Sequence, residues 1–157
     1  MCDVSMWQWN ATAASGMTAA DNLARVWNRM VDLTAWNKWN SFVVKVEMEG
    51  AVAIGTPITL HMYDGTTSHE VITVLDLNKT FCYDFNEWEH KLGLMTTHRC
   101  YVFETGADNS VTVHSSLHIE GVLSSIVSWF KASYVENGIK MQNASLKASF
   151  GETLHVV

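Results

Sequence analysis

The apolar residues of this chain change their spacing, and that change constrains the fold more than any motif does. From Val43 to Glu120 they recur at every second position; from Val122 to about Phe150 they recur at every third or fourth. A period of two marks strands with one buried face, and a period near 3.6 marks a helix with one buried stripe. Val44, Val46 and Met48 alternate with Lys45, Glu47 and Glu49. Segments Pro57 to Tyr63, His69 to Asp76, Phe81 to Trp88, about 96–104 and Val111 to Glu120 continue the series. Asp64-Gly65 reads as a hairpin turn, and Gly106-Ala107-Asp108-Asn109 as another break. These connections are short, so an antiparallel meander is the economical topology.

Ahead of the meander, Trp7, Trp9 and Ala11 alternate with polar residues and predict a short first strand. Thr18-x-x-Asp21 resembles a capping box with Asp in place of Glu. Behind it Ala20, Leu23, Trp27, Met30 and Val31 share a helical face, predicting a helix over about 18–32. Trp36 and Trp39, three apart, predict a second short helical turn. In the last segment Leu123, Val127, Phe130, Tyr134, Met141 and Ser145 lie near one stripe. Gly138 interrupts it at a cost of about 1 kcal/mol, which a kink or a close approach would explain. So long a helix must lie along a sheet face, and the sheet must curl around it. The fold class is therefore α+β: a curved antiparallel sheet of about seven strands wrapped around a long C-terminal helix, with two short helices after the first strand. No linker or repeat divides the 157 residues, so residues 1–157 form a single domain.

Composition removes several functions. Hydrophobic residues make up 48% and charged residues 17%, too apolar for disorder. No run approaches about 18 consecutive apolar residues, so no membrane span is expected. A net charge of −6 argues against nucleic acid, which needs a basic stripe. The first ten residues lack the basic run of a signal peptide. Cys2, Cys82 and Cys100 are too few for a disulfide framework and read as reduced thiols in a cytoplasmic protein. Phosphate-cradling and dinucleotide motifs are lacking, so no cofactor is expected. His114 and His118 would lie about 13 Å apart on a strand, too far for one ion. His61 and His69 read as surface groups, His69-Glu70 lacks the second His of a zinc-protease motif, and no metal is expected. Asp84, Glu87 and Glu89 read as a solvated rim. Ser128-x-x-Lys131 lacks its companion motifs.

The order of elements is a helix-grip arrangement, and particular residues resemble the SRPBCC superfamily, whose START-like and birch-pollen-allergen-like members include polyketide cyclase/dehydrase-like proteins. Ala24-Arg25-Val26-Trp27 is followed by Asp32-Leu33-x-x-Trp36-x-x-Trp39-Asn40-x-Phe42. Gly55-Thr56 precedes a strand with Leu60, and Ile119-Glu120-Gly121-Val122-Leu123, Gly138-Ile139 and Asn143-Ala144-Ser145-Leu146-Lys147 complete the likeness. It covers nearly the whole chain. The resemblance implies an internal cavity that holds a hydrophobic small molecule such as a polyketide, terpenoid or lipid. In some members it also implies cofactor-free cyclisation, dehydration or isomerisation.

Alternation groups Phe81, Tyr83 and Phe85 against Cys82, Asp84 and Asn86. On the next strand it groups His98, Cys100 and Val102 against Arg99, Tyr101 and Phe103. The family's pattern implies that the first set of each strand faces inward. Tyr83 and His98 would then be polar groups in an apolar pocket, and a His beside a phenol suits acid/base work on a carbonyl or enol. His98 and Tyr83 are the expected catalytic pair. The expected ligand contacts are Trp39, Asn40, Val44, Leu60, Met62, Phe81, Phe85, Cys100, Phe130, Tyr134 and Met141. The surplus of seven Trp and eight Met suits an adaptable pocket lining. Two other readings stay open: a non-catalytic lipid or quinone carrier, and an interaction domain like the chaperone activators of the same superfamily. Ligand identity and oligomeric state have no signature in the sequence.

Overall fold

The computed structural model describes residues 2–13, 16–87, 92, 94–122 and 124–150, with the backbone alone described at 2–7, 9, 124–132 and 135. Strand β1 (Cys2–Ala11) leads into helix α1 (Ala19–Val31) and a 3₁₀ turn (Leu33–Lys38). Strands β2 (Val43–Met48), β3 (Pro57–Met62), β4 (Thr67–Asp76), β5 (Thr80–Phe85), β6 (Thr96–Thr105) and β7 (Val111–Glu120) precede helix α2 (Ser124–Ala148). All seven strands form one antiparallel sheet in the order β1-β7-β6-β5-β4-β3-β2. The meander, the short helical pieces and the long last helix match the expected architecture. Three register shifts, in the β1–β7, β2–β3 and β4–β5 pairs, add local twist and bend to the sheet. Helix α2 packs on β1 and β7, and α1 on β6 and β7.

Helix α1 starts where the capping pattern predicts. Thr18 Oγ1 accepts from the Asp21 N–H at 3.2 Å and donates to the Asp21 carboxylate at 2.7 Å. Its buried face is Asn22, Val26, Trp27 and Met30, whereas the predicted Ala20 is exposed. Asn22 can be buried because its amide joins separate parts of the chain. Nδ2 donates to the carbonyls of Ala11 at 3.0 Å and Asn109 at 2.9 Å, and Oδ1 accepts from Arg25.

Two face assignments are corrected. In β2 the register shifts between Val43 and Lys45, so Val43 is buried and Val44 is 42% exposed. The larger correction concerns β6. Tyr83 pairs with Arg99 and Cys82 with Cys100, and residues directly opposite each other share a face. Phe81 and Tyr83 point inward as expected, so Arg99, Tyr101 and Phe103 do too, and all five are buried. His98, Cys100 and Val102 therefore lie on the outer face. A slip of one residue reverses every side chain of a strand. Strand β5 ends at Phe85 and β6 begins at Thr96, so the pair is too far apart in sequence for a two-residue turn to set its register.

The outer face also corrects the cysteine reading. Cys82 and Cys100 are joined as a disulfide across β5 and β6 rather than held as free thiols. Cys2 lies outside the described side chains. Gly138 is explained by a close approach: a Cβ there would run into the ring of Phe42.

Candidate functional site

Between α2 and the inner faces of β3 to β7 lies a cavity of about 150 Å³, room for about one aromatic ring. Its apolar wall comes from Phe42, Val43, Leu60, Met62, Leu117 and Ile139. Its polar wall comes from Ser68 and Glu70 on β4, Tyr83 on β5, Thr97 and Arg99 on β6, and Tyr134 and Gln142 on α2.

The polar groups form two clusters. In the first, Tyr101 Oη is the hub. It accepts from Arg99 Nε at 3.1 Å, donates to Gln142 Oε1 at 2.9 Å, and lies 3.5 Å from Tyr83 Oη. Arg99 Nη2 reaches the same Gln142 oxygen at 3.4 Å, and the guanidinium stands 4.8 Å from the centre of the Tyr101 ring. The stem of Arg99 is thus buried with its charge spread over hydrogen bonds and a π face, the arrangement that makes an interior arginine tolerable. Burial pushes the Tyr83 hydroxyl well above the ordinary phenol range, with the neighbouring Tyr101 adding to it. Tyr83 therefore stays protonated and serves as a donor.

The second cluster is Glu70. One carboxylate oxygen accepts from Ser68 Oγ at 2.5 Å. Burial raises its pKa to about 7, and the charges of Asp84 and Glu87 push the same way against the Ser68 bond. A carboxyl that titrates near neutrality inside an apolar chamber can both take and give a proton. At the hairpin end, Tyr134 stacks on Tyr63, packs edge-on to Phe42 and comes within 3.4 Å of Thr66 Oγ1. Burial raises the Tyr134 hydroxyl too.

Of the expected site residues, Tyr83, Leu60, Met62 and Tyr134 line this cavity. His98 does not. It sits on the outer face with Nδ1 2.9 Å from the Asp84 carboxylate, and Asp84 also accepts from Thr73. The acid/base role inferred from an inward His98 loses its geometric basis. Cys100 is held on the outer face by its disulfide, and Val44 is exposed by the β2 bulge. Phe81 is core, stacked on Tyr101 with ring centres 6.2 Å apart. Asn40 is structural: its Oδ1 accepts from the N–H groups of Phe42 and Val43 and turns the chain into β2. Trp39 packs edge-on against Trp36. Phe85 and Met141 are half-buried and do not line the cavity. The Phe130, Trp88 and Glu89 side chains lie outside the described residues.

Glu70, Arg99 and Gln142 had not been expected at the site. Glu70 had a readable signal. With Leu60 inward, the Asp64-Gly65 hairpin sets Leu60 opposite Ser68, which places Ser68, Glu70 and Ile72 on the inner face. Arg99 and Gln142 had none, because each is acceptable inside only through the cluster they share with Tyr101, which joins β6 to α2.

His61 and His69 are not direct cross-strand partners; they face Thr67 and Thr59. Among the described residues no three His, Cys, Asp or Glu side chains cluster as a metal site. No helix there is long and apolar enough to cross a membrane.

The model of the family described as "Polyketide cyclase / dehydrase and lipid transport" matches residues 17–151. The chain belongs to that family. Membership implies a hydrophobic small molecule as ligand. No curated protein matches the sequence. Among solved structures, the chain is similar to the hypothetical protein jhp0584 of Helicobacter pylori, with a TM-score of 0.69 at 10% identity over 92% of this chain and 85% of that one. It is similar to truncated norcoclaurine synthase of Thalictrum flavum, with a TM-score of 0.67 at 14% identity over 95% and 94%. It is also similar to the Aha1 dimer of Colwellia psychrerythraea, with a TM-score of 0.60 at 15% identity over 92% and 96%. At such identities these likenesses establish the fold.

Proposed function

We propose that the cavity between α2 and the sheet holds a compact hydrophobic molecule and that Glu70 moves a proton on it. The observation that carries this reading is a buried carboxyl on the wall of a largely apolar cavity, facing a chamber that also presents Tyr83, Arg99 and Gln142. A carboxylate removes a proton beside a carbonyl; the electron pair moves onto the carbonyl oxygen, and the Gln142 amide on α2 stabilises that oxygen. Returning the proton elsewhere completes an isomerisation, and loss of water completes a dehydration. Neither route calls for a cofactor. Connected polar groups within the cavity favour this over a passive carrier, and a volume of about 150 Å³ suits one ring better than an acyl chain.

Extraction of the purified protein followed by mass spectrometry identifies what it carries. The expected result is a ring-bearing compound whose turnover falls about 10²–10⁴-fold in Glu70→Gln. Turnover unchanged by that substitution would sink the catalytic part, and a preparation that retains only long-chain lipid would favour the carrier.

A further inference from the structure

Among the side chains that line the cavity, those of Glu70 and Gln142 each keep one polar atom, Oε2 and Nε2, without a hydrogen-bond partner among the described residues. Both side chains are buried, at 7% and 2% exposure. The orientation of each is settled by its neighbours. Tyr101 and Arg99 both donate to Gln142 Oε1, so the amide nitrogen, with two hydrogens, must occupy the other side. Ser68 takes Glu70 Oε1 and leaves Oε2. The lining of one cavity thus includes a side chain with an unmet donor on α2 and a side chain with an unmet acceptor on β4. Buried polar groups are nearly always paired, so an unmet pair at a cavity wall marks what a ligand supplies.

We propose that Glu70 and Gln142 are the specificity determinants of this cavity, and that they select a ring-sized ligand with two oxygen functions. A hydroxyl on the ligand donates to Glu70 Oε2, and a carbonyl accepts from Gln142 Nε2. The inference rests on the reading that this cavity is the ligand site, and it adds the polarity of the ligand to that reading. A hydrocarbon of the same size fills the volume but leaves both protein groups desolvated and unpaired. Each bond so lost weakens binding roughly tenfold.

The test uses the whole chain and four probes of similar size: 2-, 3- and 4-hydroxyacetophenone, and ethylbenzene. Calorimetric titration at pH 8 measures their affinities for the wild type, Glu70→Gln and Gln142→Glu. Both substitutions are isosteric. Glu70→Gln keeps an oxygen for Ser68, and Gln142→Glu keeps one for Tyr101 and Arg99, so the internal bonds survive in each. The expected result is that at least one hydroxyacetophenone binds the wild type about 100-fold more tightly than ethylbenzene, and that each variant cuts this preference about tenfold. Ethylbenzene binding as tightly as all three isomers would overturn the inference while leaving the cavity as the ligand site. A preference that survives both substitutions would overturn it as well. Binding of no probe to the wild type would remove both the inference and the site it rests on.

Discussion

The burial of Glu70 has a thermodynamic signature that needs no ligand. Its pKa stands at about 7 in the folded protein against an ordinary 4.5. Between those two values the folded protein binds a proton that the unfolded chain has released, so stability falls as pH rises through this window. The loss is complete above pH 7. A shift of this size at about 1.4 kcal/mol per pKa unit amounts to roughly 3 kcal/mol. Gln at position 70 cannot ionise and escapes the loss. Asp64 and Asp108, held below their ordinary values by hydrogen bonds from Thr66 and Ser110, titrate alike in both proteins and cancel in the difference. Urea unfolding of the wild type and Glu70→Gln from pH 4 to pH 8.5 gives that difference directly. The expected result is a stability advantage for the variant that grows by about 3 kcal/mol across the range. A difference that stays flat to within about 1 kcal/mol would show that the Glu70 carboxyl is hydrated rather than enclosed.

Three further outcomes follow from the packing. Gly138→Ala forces a methyl group into the Phe42 ring and should cost about 1–3 kcal/mol despite the better helix propensity of Ala; the loss should shrink in a Phe42→Ala background when thermal melts are compared in a double-mutant cycle. His98→Ala removes a partly exposed ion pair with Asp84 on the outer face, so it should lower stability by no more than about 1 kcal/mol and leave probe affinity in calorimetry unchanged. Replacing Cys82 and Cys100 together by Ser opens a link between residues 18 apart and should cost about 3 kcal/mol in denaturant unfolding without reductant. No loss there would mean that the two thiols are not joined.

The sequence carried the order of elements because periodicity is a local property. The bounds of β7 match the predicted Val111 to Glu120, since one face of that strand is wet and the other dry along its whole length. The α1 cap was legible in Thr18 and Asp21, and Gly138 signalled either a kink or a close approach, of which the Phe42 ring shows the second. The inward face of β6 was not legible. Choosing Arg99 over His98 as the inward residue means placing a guanidinium in the core, which local patterning disfavours. What makes it acceptable is Gln142, 43 positions away on another element, together with Tyr101. The β2 bulge likewise exchanged Val44 for Val43 without a glycine or proline to signal it. The burial of Asn22 had no local signal either, since only the carbonyls of Ala11 and Asn109 explain it.

The central claim is that ligand meets the inner face at Glu70, Tyr83 and Gln142 and leaves the outer face at His98 untouched. Heteronuclear NMR of the labelled protein titrated with the hydroxyacetophenone isomers tests it most directly. Saturable shifts are expected at the side-chain amide of Gln142, at the Glu70 carboxyl carbon and in the ring signals of Tyr83 and Tyr134. The signals of His98 and His114 should stay in place. Shifts that gather on His98 and the outer face, with the Gln142 amide unmoved, would contradict it.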